Sequence, residues 1–154
     1  MIKTLDDLLS SWKNDLSIAS CFEYIKAEEA RDAVYSPIPE GVHPAVIRAL
    51  KGMGISSLYS HQAEAFQLIR QGNHLAISTG TASGKTLCYT LPVINYQLLS
   101  PDSTALFIYP TKALANDQLN SLRVFVSDFD KEEKALCLAN KYDGDTPSHL
   151  RSGI

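Results

Sequence analysis

The chain is expected to fold as an α/β protein on a parallel sheet, for three reasons. Short apolar runs at 75–78, 104–109 and 135–139 alternate with stretches of helical spacing, the pattern that right-handed crossovers between parallel strands leave in a sequence. The first run feeds a Gly-rich turn that opens directly onto a helix. The chain has 154 residues, 45% of them hydrophobic and 20% charged, which suits one ordinary globular core.

Bulk properties exclude several classes. The net charge of −3 provides no global basic field, so contact with nucleic acid has to be local. Three scattered cysteines, Cys21, Cys88 and Cys137, fit a reduced thiol set better than a disulfide framework or a zinc site. No apolar run reaches the roughly 18 residues of a membrane span. Asp6 and Asp7 interrupt any secretory apolar region. A soluble, cytoplasmic protein without membrane contact is the expectation.

In chain order, Thr4 caps a first helix carrying Leu5, Leu8, Leu9, Trp12 and Leu16 at helical spacing, with Asp6 and Asp7 in its first turn. Three prolines and a glycine at 36–44 (SPIPEGVHP) read as an extended connector. It divides a helical extension, 1–35, from the main unit, 45–154. A short helix from Pro44 turns Val46, Ile47 and Leu50 inward and stops near Gly52 and Gly54. Ser60 is the expected N-cap of the next helix, with Glu64 near the capping-box place, Ala63, Phe66, Leu68 and Ile69 on its apolar side and Gly72 as its stop. Strand 75–78 leads into the Gly-rich turn and a helix from Lys85 with Leu87, Leu91, Ile94 and Leu98 at helical spacing. A second strand, TALFIY, precedes a helix from Lys112 to about Phe125; Asp128, Glu132 and Glu133 then fall in a solvent-facing linker before a third strand, ALCLA.

The turn, ISTGTASGKTL, is a phosphate-binding loop with Thr79 at the usual first glycine and Gly80 one place later. Small residues let backbone N–H groups converge on a polyphosphate, Lys85 reaches the terminal phosphates, and the Thr86 hydroxyl can ligate Mg²⁺. A kinase, a GTPase, a transporter ATPase or a helicase could own such a loop. Upstream, Tyr59-Ser60-His61-Gln62 puts at a helix start a glutamine able to meet the N6 and N7 edge of adenine. His61 is expected to be an ordinary solvated first-turn residue. Downstream, Pro110, Thr111 and Lys112 stand where TALFIY meets a helix N-terminus, which suits a sugar-phosphate backbone. The loop Tyr142-Asp143-Gly144-Asp145-Thr146-Pro147 reads equally as a functional edge and as an Asp-Gly turn capping the next helix.

Together these segments resemble the first RecA-like domain of superfamily 2 helicases of the DEAD/DEAH-box type: SHQ looks like the Q motif, TGTASGKT like motif I and PTKALANDQL like motif Ia. With YDGDTP and the run EARDAVYSPIPEGVHPAVIRALKGMGISSLYSHQAEAFQLI, the chain is similar to the YprA-like (mitomycin repair factor A) branch from Tyr24 onward. The resemblance implies a P-loop NTPase fold, a three-layer αβα domain with a parallel sheet. It implies ATP bound by Tyr59, Gln62, Thr79, Gly80, Thr81, Ala82, Ser83, Gly84, Lys85 and Thr86, with Lys85 and Thr86 the catalytic pair and Thr86 the Mg²⁺ ligand. Pro110, Thr111 and Lys112, and more loosely Gly144, Asp145 and Thr146, would touch nucleic acid, DNA in preference to RNA. The aromatic that relatives stack on adenine falls at Ala45, with Tyr59 as a nearby substitute. Motif II and the second motor domain do not occur in this sequence. The expectation is therefore an N-terminal helicase fragment with open strand edges that binds ATP without hydrolysing it. A nonhydrolytic ATP-binding regulatory module and the inert product of a truncated gene are the alternatives.

Overall fold

The computed structural model describes residues 4–24, 26, 32–80 and 83–153. It divides into two compact units, Met1–Asp32 and Ala33–Ile154.

In the first unit, α1 (Leu5–Asn14) starts at Thr4, whose hydroxyl accepts from the Asp7 N–H while the Asp7 carboxylate accepts from the Thr4 N–H. This capping box is the start that the sequence foreshadows. The helix ends sooner than expected. Asp15 adopts an extended conformation and caps a separate short helix, α2 (Leu16–Ala19), so Leu16 leaves the apolar stripe and is exposed. The Asp15 carboxylate accepts from the Ser17 hydroxyl and N–H, which holds its pKa below the usual carboxylate value. Trp12 packs on Phe22, ring centroids 6.0 Å apart.

The second unit is built on helices. In order they are α3 (Pro44–Gly52), α4 (Ser60–Arg70), α5 (Lys85–Leu99), α6 (Lys112–Phe125) and α7 (Lys131–Leu136), followed by a 3₁₀ turn at Ser148–Gly153. Val46 and Leu50 of α3, Phe66 of α4, and Leu91 and Ile94 of α5 meet with Leu58, Phe125, Phe129 and Cys137 in one core. The segment 36–44 belongs to this unit. It begins in β1 (Tyr35–Ser36), antiparallel to β2 (Leu58–Tyr59) with Tyr35 opposite Tyr59, and Val42 is buried. Side chains pin the rest of the segment: buried Asn95 accepts from the His43 N–H (2.6 Å) and donates to Gly41 O (3.3 Å), and Arg70 donates to Glu40 O (2.6 Å). Prolines keep it extended, and these backbone partners make it a wall of the core.

The expected parallel sheet is not observed. Among the described residues the only sheet is the β1–β2 pair. Segments 75–78 and 104–109 run without helix or ladder, because no backbone hydrogen bond among the described residues joins either to a neighbour, and a strand exists only through such bonds. Residues 106–109 still alternate as a strand would: Leu106 and Ile108 are exposed, while Phe107 and Tyr109 are half-buried with parallel rings 6.4 Å apart. The third predicted strand is a correction of another kind. Helix α7 (Lys131–Leu136) takes its first two residues and 137–139 form no strand; the helix is started by a second capping box in which Asp130 accepts from the Glu133 N–H (2.8 Å) and Glu133 accepts from the Asp130 N–H (3.0 Å). Glu133 is therefore no solvent-facing linker residue. Its side chain is 16% exposed and holds Arg48 of α3 through two contacts of 2.7 and 2.8 Å. Burial, with the Glu133 charge adding to it, pushes the Cys137 thiol up to about 11.

Candidate nucleotide and nucleic-acid sites

The first turn of α4 and the loop before α5 form the nucleotide candidate. Tyr59, not Ser60, is the N-cap of α4, and Gln62 replaces Glu64 as the residue that reaches back: its Oε1 accepts from the Tyr59 N–H (2.9 Å). The other end of the same amide donates to Gly84 O (2.9 Å), and Gln62 is buried. Both halves of the amide are thus engaged with backbone. Beside it, His61 Nε2 lies 3.0 Å from Ser83 O. Gly84 has φ 73°, left-handed backbone that favours glycine, and a Cβ there would stand 2.5 Å from Gln62 Nε2 and 3.6 Å from the Tyr59 ring. No side chain fits between α4 and the loop.

Within the loop, the Thr79 and Ser83 hydroxyls are 2.6 Å apart, and the Lys85 ammonium donates to Thr79 O (2.8 Å) and Gly80 O (2.5 Å). Lys85 therefore already lies across the mouth of the turn. Thr86 follows in the first turn of α5, half-buried. Thr81 and Ala82 lie outside the described residues. Among the described residues no three His, Cys, Asp or Glu side chains gather to hold a metal. Such a donor set would leave Mg²⁺ mainly to phosphate oxygens and water, and the Thr86 hydroxyl is the protein oxygen that could join them. Under the loop, a hollow of about 310 Å³ is lined by Ile69, Leu75, Ile77, Lys85, Cys88 and Tyr89. Burial raises the Cys88 thiol, with Lys85 opposing.

Three rings stack beside the loop. Tyr35 lies 5.1 Å from Tyr59, and Tyr59 5.6 Å from His61 at an interplanar angle of 8°. The phenol of Tyr35 is raised by its hydrogen bond with Tyr59. Ala45 is fully buried in the core, so an aromatic surface at this place comes from Tyr59 and its strand partner Tyr35. No local signal marks Tyr35, and His61 is not the solvated residue its position predicts. The contacts that matter for both are with residues 24 and 22 positions away, Tyr59 and Ser83.

The second candidate lies at the start of α6. Thr111 caps the helix, its hydroxyl accepting from the Leu114 N–H (3.2 Å), and exposed Pro110 precedes it. Lys112 Nζ is 2.7 Å from Asp145 Oδ2, both side chains largely in solvent, and this bond raises the Lys112 pKa. The two sequence-predicted patches therefore meet. The 143–146 turn is closed from within: Asp143 N–H donates to the Thr146 hydroxyl (2.9 Å), Asp145 N–H donates to the Asp143 carboxylate (2.9 Å), and Thr146 is buried. Lys141, 3.0 Å from Asp143, holds that carboxyl below its usual range. Gly144 passes close to Lys112, its missing Cβ 3.8 Å from Nζ. Arg151 donates to Thr146 O (2.9 Å) and lies over the exposed Tyr142 ring at 5.7 Å. Tyr89 of α5 connects the two candidates by donating to Gln118 of α6 (3.1 Å).

The DEAD/DEAH box helicase family model matches residues 59–153, a span containing both candidates. The chain belongs to the DEAD/DEAH box helicase family. A relative from Bacillus subtilis, the uncharacterized ATP-dependent helicase YprA, is 38% identical over 99% of this chain and 19% of its own length. The ATP-dependent helicase HRQ1 of Saccharomyces cerevisiae is 34% identical over all of this chain and 14% of its own length. Among solved structures, the DUF1998 helicase MrfA bound to DNA matches with a TM-score of 0.81 at 35% identity, covering 99% of this chain and 20% of that one. MrfA bound to DNA and AMPPNP matches at 0.76 and 36%, over 98% and 20%. The YprA-like resemblance is thereby established, and with it the P-loop, RecA-like fold family and use of ATP as a family trait. The chain spans a fifth or less of the length of these relatives. No helix among the described residues is long and apolar enough to cross a membrane.

Proposed function

We propose that this chain supplies the ATP-binding and part of the nucleic-acid-binding surface of an ATP-dependent DNA helicase motor. The observation that carries the reading is the docking of Gln62 on Gly84, which joins an adenine-reading residue type to a phosphate loop without room for a side chain between them. The loop N–H groups and the positive end of α5 would receive the phosphates, Lys85 exchanging its two carbonyl partners for phosphate oxygens. Mg²⁺, when bound, would neutralise phosphate charge, with Thr86 as its ligand. Gln62 would reach adenine by releasing one of its backbone partners, and Tyr59 or Tyr35 would lie under the base.

Thr111 and Lys112 at the α6 N-terminus, with the 141–146 turn, would follow a sugar-phosphate backbone without reading bases. DNA is the favoured polymer because the matched MrfA structures are described as bound to DNA. Turnover needs a carboxylate to orient water and an arginine to neutralise transition-state charge. We place those groups outside this chain. Titration of the chain with a fluorescent ATP analogue tests the reading: saturable, Mg²⁺-dependent binding lost in Lys85→Ala is expected, and equal binding by both proteins would overturn it. ATP turnover no faster than that of Lys85→Ala is expected with or without single-stranded DNA; DNA-stimulated turnover clearly above that control would place hydrolysis within this chain.

A further inference from the structure

We infer that His61 is a positioning residue that sets the direction of the phosphate-loop amides, a role that rests on the nucleotide-binding reading above. Two adjacent side chains at the start of α4 take two adjacent loop carbonyls: His61 Nε2 is 3.0 Å from Ser83 O, and Gln62 Nε2 donates to Gly84 O at 2.9 Å. Because the acceptor is a carbonyl, Nε2 carries the proton. A trans peptide is planar, and its C=O and the next N–H point in opposite directions. Drawing Ser83 O toward α4 therefore turns the Gly84 N–H away from α4, and drawing Gly84 O does the same for the Lys85 N–H. The left-handed φ of 73° at Gly84 lets consecutive N–H groups face one side, as in an anion-binding nest.

The imidazole is itself held. It stacks on Tyr59 at 5.6 Å with the ring planes nearly parallel, and Tyr59 stacks on its strand partner Tyr35 at 5.1 Å. Among the described residues the remaining bonds of the loop stay within it and α5: Thr79 to Ser83 through their hydroxyls, Lys85 to the carbonyls of Thr79 and Gly80, and the Leu87 N–H to Gly84 O (3.2 Å). They close the turn without orienting it against α4. His61 and Gln62 provide that orientation, and His61 does so without touching the base.

The test uses the whole chain as wild type, His61→Ala and His61→Gln, the last keeping an amide donor near the position of Nε2. ATP and inorganic tripolyphosphate compete against a fluorescent ATP analogue, and hydrogen exchange is followed in the nucleotide-free protein. His61→Ala is expected to weaken ATP and tripolyphosphate equally, by about fivefold, the worth of one ordinary hydrogen bond. Exchange should quicken at Leu87, whose N–H donates to Gly84 O (3.2 Å), but not at Leu91 and Ile94, which report the core of α5. His61→Gln should recover most of both effects. Loss of ATP affinity without loss of tripolyphosphate affinity would assign His61 to the base and overturn the proposal, as would unchanged exchange at Leu87. If the wild type bound neither ligand while exchange still responded to His61→Ala, the nucleotide reading would fall and the clamp on the loop would stand.

Discussion

Alanine at Gly84 should cost more than alanine at another left-handed glycine, and the difference measures the contact between α4 and the loop. Gly84 and Gly54 have nearly the same backbone, φ 73° and 76°. Each pays about 1 kcal/mol for a Cβ in that region. Around Gly54 nothing lies within 4 Å of the new carbon, so the strain is the whole cost. At Gly84 the carbon would stand 2.5 Å from Gln62 Nε2, and the amide has to leave. It then gives up its bonds to Gly84 O and the Tyr59 N–H, both 2.9 Å, in a residue 4% exposed where water does not readily replace them. At about 1 kcal/mol per bond, and more for a group left unpaired, Gly84→Ala should lose a further 1–3 kcal/mol. Urea denaturation of both variants, followed by circular dichroism, reads the difference directly. If Gly84→Ala is no less stable than Gly54→Ala, the Gln62 bridge contributes nothing and the argument fails.

Phe66 is fully buried among α3, α4 and α5, so Phe66→Ala should lower the urea midpoint by an amount worth about 3–5 kcal/mol; a loss under 1 kcal/mol would show a core able to collapse around the gap. Thiol alkylation read by mass spectrometry should label exposed Cys21 first: burial raises Cys137 from 9.0 to about 11, leaving about 100-fold less thiolate at pH 8, and equal labelling of the two would contradict that burial. The same raised value means that the stabilisation tied to the protonated Cys137 thiol is complete below pH 9.0 and is lost as pH rises through about 11. Lys112→Ala should weaken single-stranded DNA binding uniformly across sequences and reduce its salt slope by about 1, whereas Asp145→Asn, which frees Lys112 from its partner at 2.7 Å, should tighten it. Fluorescence anisotropy at several salt concentrations reads both, and an unchanged slope in Lys112→Ala would remove Lys112 from the interface.

Three helices are legible from local signals. Thr4 with Asp7, the glycine before Lys85 and Thr111 before Lys112 mark the starts of α1, α5 and α6, and α5 and α6 run Lys85–Leu99 and Lys112–Phe125 as expected. Helix α7 is the exception: its signal, the capping box of Asp130 and Glu133, is local as well, yet the expectation for this stretch is a linker followed by a strand. TALFIY failed for a different reason. Its alternation is that of a strand, and a strand needs a hydrogen-bonding neighbour that composition cannot supply.

The order of residues by itself determined the family, the phosphate loop and the helices that hold their hydrogen bonds within one segment. Tertiary structure alone decided that the 36–44 segment is part of the core, that Glu133 is an anchor for Arg48, that Lys112 meets Asp145, and that His61 and Gln62 grip the loop. Each of those facts is a bond between groups far apart in the chain. Such bonds depend on where the packed helices bring the backbone together, which no single stretch of residues contains.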